Sequence, residues 1–229
     1  MLATCSLVAK AWLVRSRRHL FSEITLDRET IRKWCSLIRP GPNGVSFLVH
    51  TLALLQAPGF RWLDTGSLDA FSDHFSSFRH VENLSVTWLD LSCFEPASLT
   101  RHFFHYGPSL RTLRVSYLSA DYSALNTFLQ LFPNLENILI HAPDLCDDNP
   151  PLRISTSAPI IHGFLDLLSF DSASSPFISH LAGLDLRFSS ISAFHCTFPS
   201  GLPLTTLLDA SASSLRHLQL EYIKFCMFF

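Results

Sequence analysis

Leu110-Arg111-Thr112-Leu113-Arg114-Val115 places apolar residues first, fourth and sixth. The same L-x-x-L-x-L spacing returns as Val81-Glu82-Asn83-Leu84-Ser85-Val86, Leu135-Glu136-Asn137-Ile138-Leu139-Ile140 and Leu215-Arg216-His217-Leu218-Gln219-Leu220. Extended backbone alternates its side chains, so the fourth and sixth residues share one face. One such strand cannot bury that face alone, and copies must stack. Val49, Leu52 and Leu54 make an earlier copy. Degenerate copies lie near Ile161 to Phe170 and at Phe188, Ile191 and Phe194. Successive copies start 25 to 32 residues apart.

Helical segments are expected between the copies, at Leu68–Phe78, Ala97–Tyr106, Tyr122–Phe132, Pro176–Leu184 and Pro203–Ala212. Pro108-Ser109 and Pro133-Asn134 sit where each helix must stop before the next strand. The fold class is therefore α/β: an irregular leucine-rich-repeat solenoid of parallel strands alternating with helices. Irregularity follows from one departure. Regular repeats place Asn or Cys three residues after the phrase; here the residues are Leu89, Leu118, Pro143 and Ile223. Leu84, Leu113, Ile138 and Leu218, central in each phrase, are the predicted core.

Composition narrows the function classes. The 229 residues are 48% hydrophobic and 16% charged, which excludes a disordered chain. Twenty Phe suit a core that needs large fillers between irregular units. Six Cys without a C-x-x-C pair read as buried reduced thiols, in keeping with a cytoplasmic or nuclear location. Residues 1–39 carry eight Lys/Arg and three acids, and the remainder nine and sixteen. The head is thus about +5 and the rest about −7, with no aromatic-interleaved basic stripe, so nucleic acid is not an expected partner. Nor is a membrane, since no apolar run reaches the roughly 18 residues of a span.

Motifs of catalysis are missing from the sequence: no G-x-S-x-G elbow, phosphate-cradling glycine loop or H-E-x-x-H occurs. His102 and His105 with Cys93, and Asp144 with Asp147 and Asp148, lack the ligand patterns of zinc and calcium sites. No metal, no cofactor and no catalytic residue are expected, and the chain reads as a binder rather than an enzyme.

The head has its own periodicity. Leu2, Cys5, Val8, Ala9 and Trp12 fall on one helical face, and Val14 to Phe21 is a second helix with Leu20 and Phe21 inward. Met1 to Ser22 carries four bases and no acid, as transit peptides do, but a folded head is the preferred reading. Ile24 and Leu26 alternate like a short strand. Asp27 caps a third helix whose stripe is Ile31, Trp34, Leu37 and Ile38. Pro40-Gly41-Pro42-Asn43-Gly44 stops it.

Leu2-Ala3-Thr4-Cys5-Ser6-Leu7-Val8-Ala9-Lys10-Ala11-Trp12 resembles the second half of an F-box. Arg15-Ser16-Arg17-Arg18-His19-Leu20-Phe21 is similar to the continuation common in fungal F-box proteins, which carry irregular leucine-rich repeats behind the box. The resemblance implies a substrate receptor of a Skp–cullin–F-box ubiquitin ligase, with Leu2, Leu7, Val8 and Trp12 in the helical core and on the Skp-type adaptor surface. It implies a partial F-box over 1–26, a linker helix and turn over 27–45, and the solenoid over 46–229. The family's Leu-Pro element and first helix precede the residues matched here, and no polar capping unit follows Phe225-Cys226-Met227-Phe228-Phe229. A truncated or degenerate copy is therefore expected, leaving a repeat module without ligase coupling as the alternative.

The unknown protein substrate is expected on the outward strand positions, where alternation places Thr87, Arg114, Ser116, Asn137, His141, Gln219 and Glu221. With half of the adaptor surface outside the matched segment, a purified Skp adaptor is expected to bind this chain weakly or not at all in a pull-down. Robust submicromolar binding would refute that expectation.

Overall fold

The computed structural model describes residues 12, 15–37, 44–57, 62–120, 122–141, 144–145, 162–168, 187–194, 197–198, 202–221 and 223–225. Their strands are β1 (Glu23–Leu26), β2 (Thr51–Leu55), β3 (Asn83–Thr87), β4 (Thr112–Ser116), β5 (Ser119–Ala120), β6 (Asn137–His141), β7 (Asp144–Leu145), β8 (His162–Leu168), β9 (Arg187–Phe194), β10 (Thr197–Phe198), β11 (His217–Glu221) and β12 (Lys224–Phe225). The helices are α1 (residues 15–21), α2 (Arg28–Leu37), α3 (Thr65–Ala70), α4 (Ser72–Phe75), α5 (Pro96–Phe103), α6 (Tyr122–Gln130) and α7 (Leu202–Ser211). The Pro176–Leu184 helix falls outside the described residues.

The protein is α/β. Eight strands form one sheet in the order β1-β2-β3-β4-β6-β8-β9-β11, every pairing parallel. Spatial order thus follows chain order. The short strands β5 with β7 and β10 with β12 form two separate parallel pairs. A register shift between Gly163 and Phe164 interrupts the β8–β9 ladder.

The phrase sets the register. Ile24, Leu52, Leu84, Leu113 and Ile138 are partners across β1 to β6, and Leu26, Leu54, Val86, Val115 and Ile140 form the next row. All ten side chains are buried. The step between units is also repeated. The carbonyl of Ser22 accepts the N–H groups of His50 and Thr51, that of His50 those of Glu82 and Asn83, that of Glu82 those of Arg111 and Thr112, and that of Arg111 those of Glu136 and Asn137, all at 2.8–3.0 Å. Leu218 departs from expectation: it is 43% exposed, and Leu220 40%. β11 ends the sheet and pairs with β9 alone. Among the described residues no further unit lies against its outer side to cover them.

Helices cover the other side of this apolar face. Leu68, Phe75, Phe78, Leu99, Phe103, Leu125, Phe128 and Phe132 join the strand leucines in one core. Phe103 meets Phe128 edge-on at 5.2 Å between centroids, and Phe128 meets Phe132 at 5.1 Å. Large rings thus fill the space between unequal helices, the role that the Phe content suggested. Close approach appears at Gly107, where a Cβ would lie 2.4 Å from the carbonyl oxygen of Leu131 in the next unit. The turns are tied by side chains as well: Ser109 Oγ donates to the Val81 carbonyl and Ser214 Oγ to the Phe188 carbonyl, each at 2.9 Å.

The head is continuous with the sheet. β1 pairs with β2, so the sheet crosses residues 26 to 46, where the sequence reading divides head, linker and solenoid. Asp27 Oδ1 accepts the N–H groups of Glu29 and Thr30 at 2.9 and 2.7 Å, and the Asp27 N–H donates to Thr30 Oγ1 at 2.6 Å. This reciprocal cap starts α2. The Thr30 backbone N–H, then its hydroxyl, hold the Asp27 carboxyl below the usual range. Ile31 is fully buried, and half-buried Trp34 packs on Phe78 at 5.7 Å and on Phe21 at 6.2 Å. Leu20 does not turn inward as expected. It is 71% exposed, and Phe21 alone takes the inward place against Trp34. The Leu37 side chain and Ile38 lie outside the described residues.

Leu113→Ala is expected to cost about 2–5 kcal/mol in urea denaturation, since the buried row cannot collapse around the void. Trp34→Ala should lower the melting temperature, whereas an unchanged value would make the head an independent appendage. Asp27→Ala should cost about 1 kcal/mol at neutral pH. Because the folded carboxyl is depressed, that contribution is present above the ordinary carboxylate range and lost as pH falls through the depressed value. An equal loss at all pH values would discount the cap.

Candidate functional site

One face of the sheet carries no helix among the described residues. The strands place three rows on it. Thr51, Asn83, Thr112 and Asn137 form the row at the strand starts, Ala53, Ser85, Arg114 and Leu139 the middle row, and Leu55, Thr87, Ser116 and His141 the row at the strand ends. In the first row Asn83 Nδ2 donates to Thr51 Oγ1 at 3.4 Å and Asn137 Nδ2 to Thr112 Oγ1 at 3.3 Å. Asn137 therefore faces outward as expected but spends its amide within the row. Arg114 is exposed and has no ion-pair partner among the described residues.

Four of the expected partner-binding residues come together. Thr87, Ser116 and His141 are register partners on adjacent strands, and Arg114 stands two residues before Ser116 on β4. Gln219 and Glu221 lie on β11, three strands beyond β6, roughly 14 Å at the usual strand spacing. There Gln219 Nε2 donates to Glu221 Oε1 at 2.7 Å. Of the adaptor-surface residues, Trp12 is 70% exposed, and Leu2, Leu7 and Val8 lie outside the described residues.

Two residues absent from the sequence reading join the site. Trp88 and Tyr117 follow Thr87 and Ser116, and both have φ of 60°. Their N–H groups continue the ladder, donating to the Ser116 and His141 carbonyls at 2.7 Å. The left-handed backbone then reverses the alternation. Leu89 and Leu118 are buried, while Tyr117 stays 39% exposed and Trp88 half-exposed. The two rings stack at 4.1 Å with 9° between planes, and Tyr117 lies 5.2 Å from the His141 ring. Gln56 secures the Trp88 end. Its Nε2 donates to the Trp88 carbonyl at 2.6 Å, and its Oε1 accepts the Trp62 and Leu63 N–H groups at 2.8 Å. Left-handed backbone at a bulky residue costs about 1–3 kcal/mol, and such strain gathers at functional sites. The signal in the sequence is Thr87-Trp88-Leu89 repeated as Ser116-Tyr117-Leu118.

Other flagged groups sit elsewhere. His102 is buried in the helix layer, its Nε2 3.3 Å from Asp69 Oδ1, and burial lowers its pKa. His105 is exposed. Cys93 is exposed rather than buried, a correction to the thiol reading. It lies in a short 3-10 turn outside the core and donates to Asp90 Oδ2 at 3.3 Å. Cys35 is half-buried, and desolvation raises its pKa. Asp147 and Asp148 fall outside the described residues. A cleft of about 400 Å³ at the head gathers Arg18, His19, His50 and His80 around Phe47. Among the described residues, no helix is long and apolar enough to cross a membrane.

Comparison with protein-family models, curated proteins and solved structures finds no match for this chain.

Tyr117→Gly should be more stable than Tyr117→Ala by about 1 kcal/mol, because only Gly adopts left-handed backbone without the Cβ penalty. The opposite order in chemical denaturation would show that this residue is relaxed.

Proposed function

We propose that this chain is a non-catalytic protein-binding scaffold, an irregular leucine-rich-repeat solenoid that holds its target on the open sheet face. One observation carries the reading: Arg114, Thr87, Ser116 and His141 converge on adjacent strands beside a stacked Trp–Tyr pair. Trp, Tyr and Arg are the side chains that most often dominate protein interfaces, the first two because they bury large area at small entropy loss and Arg because its planar fork makes several directed hydrogen bonds. The face is wide and formed by regular strands, which suits a macromolecular surface better than a small ligand.

With the F-box resemblance, the proposal extends to the substrate-recognition subunit of a Skp–cullin–F-box ubiquitin ligase, acting in the cytoplasm or nucleus. The exposed indole of Trp12 supports an adaptor contact near the head. The half-buried Cys35, which forms no disulfide, suits a reducing compartment. One observation favours the second reading, an interaction module without ligase coupling. β1, at the end of the box segment, and α2, in the linker, are built into the sheet and its core, so both serve the solenoid directly.

A photo-crosslinking residue at Ser85, on the open face, is expected to capture target proteins in cells. The same residue at exposed Ser123, on α6, is expected to capture none of them. Arg114→Ala should leave the melting temperature unchanged and weaken capture. Crosslinks from Ser123 but not from Ser85 would move the interface to the helices and sink the reading.

A further inference from the structure

The open face is chemically uneven, and the unevenness suggests what it holds. Over β3, β4 and β6 the nine outward residues include no acid and a single Arg, Arg114. That guanidinium has no ion-pair partner among the described residues. Two to three residues along, at the strand ends, stand the Trp88–Tyr117 stack and His141. Strand rise puts the charge about 7–10 Å from the rings.

We infer that the Trp88–Tyr117 stack and Arg114 form one two-point anchor for a protein segment that carries an Asp or Glu a few residues from a proline or aromatic ring. The inference rests on the protein-binding reading above and names the partner's chemistry. Arg114 supplies a fork of N–H donors that matches a carboxylate. The stack supplies a rigid apolar edge for a ring. Its rigidity has visible causes: the Trp88 carbonyl is held by Gln56, both N–H groups are in the ladder, and each ring fixes the other. The ladder and the buried Leu89 and Leu118 set the left-handed backbone, and the result is two large rings held accessible at equivalent places in consecutive units. A buried structural role would have hidden the rings, as it hides Leu89 and Leu118. A polyanion is the poorer occupant. Nucleic-acid affinity grows with the number of phosphates neutralised, and one cation on three strands of a chain of net charge −2 neutralises few.

The test selects a random-peptide phage library on the immobilised full chain and measures synthetic versions of the enriched peptides by fluorescence anisotropy. Enriched peptides are expected to carry Asp or Glu two to four residues from Pro, Phe, Tyr or Trp. Affinity should fall at least about tenfold with Tyr117→Ser and with Arg114→Glu, the scale of a hot-spot residue. Replacing the peptide's acid by Lys should restore binding to Arg114→Glu and abolish it to the unaltered chain. Arg114 is exposed, so this charge exchange reads the contact even if Tyr117→Ser proves unstable by circular dichroism. No enrichment, or enriched peptides without an acid, overturns the inference. Peptides insensitive to both substitutions but competing for another part of the chain overturn it while leaving the protein-binding reading in place. Tighter binding of an oligothymidylate probe than of any peptide, lost on Tyr117→Ser, would overturn both.

Discussion

The parallel backbone ladder, kept in one register from β1 to β6, is the constraint on which the rest depends. Each unit begins when two successive N–H groups share the carbonyl that precedes the previous strand. That step fixes which residue lies opposite which. A slip by one residue would turn every leucine to solvent and every polar residue to the core. The buried rows, the helix layer above them and the open face below them all inherit their positions from it.

Packing then tolerates irregularity because the ladder does not. Helices of eight to ten residues and a split helix at α3–α4 occupy equivalent places between strands. Phe rings make up the difference, through edge-on contacts that fill volume without demanding one repeat length. The head uses the same device, with Trp34 bridging Phe21 and Phe78. Its strand and its helix are thereby the first unit of the sheet, not an appendage to it.

At the strand ends the ladder also explains the unusual pair of rings. Trp88 and Tyr117 each have the N–H in the ladder and the next residue in the core. An extended residue cannot satisfy both demands, since the following leucine would face outward. Left-handed backbone restores the leucine to the core and leaves the ring on the open side. The strained geometry thus converts two apolar residues, which alternation would bury, into accessible ones beside Arg114.

The sequence by itself determined the α/β class, the positions of the strands of the large sheet, most of the helices and the identity of the buried rows, but not the short strands β5, β7, β10 and β12. These follow from local periodicity: a leucine phrase buries one face wherever it lies, and Asp27 or Pro133 acts on its immediate neighbours. It also determined that Thr87, Arg114, Ser116 and His141 face away from the core. Only the tertiary structure decided the rest. Leu218 looks identical to Leu113 in its phrase, yet one is exposed and the other buried: β4 lies between two strands, whereas β11 pairs with β9 alone and nothing among the described residues covers its outer side. Leu20 and Phe21 differ in the same way, since Trp34 covers only one of them. Gln219 and Glu221 match Arg114 in pattern but stand strands away. The Trp88–Tyr117 stack was not legible as a site because alternation assigns those residues to the core. Their exposure arises from the sign of φ, which two long-range hydrogen bonds and two buried leucines impose together.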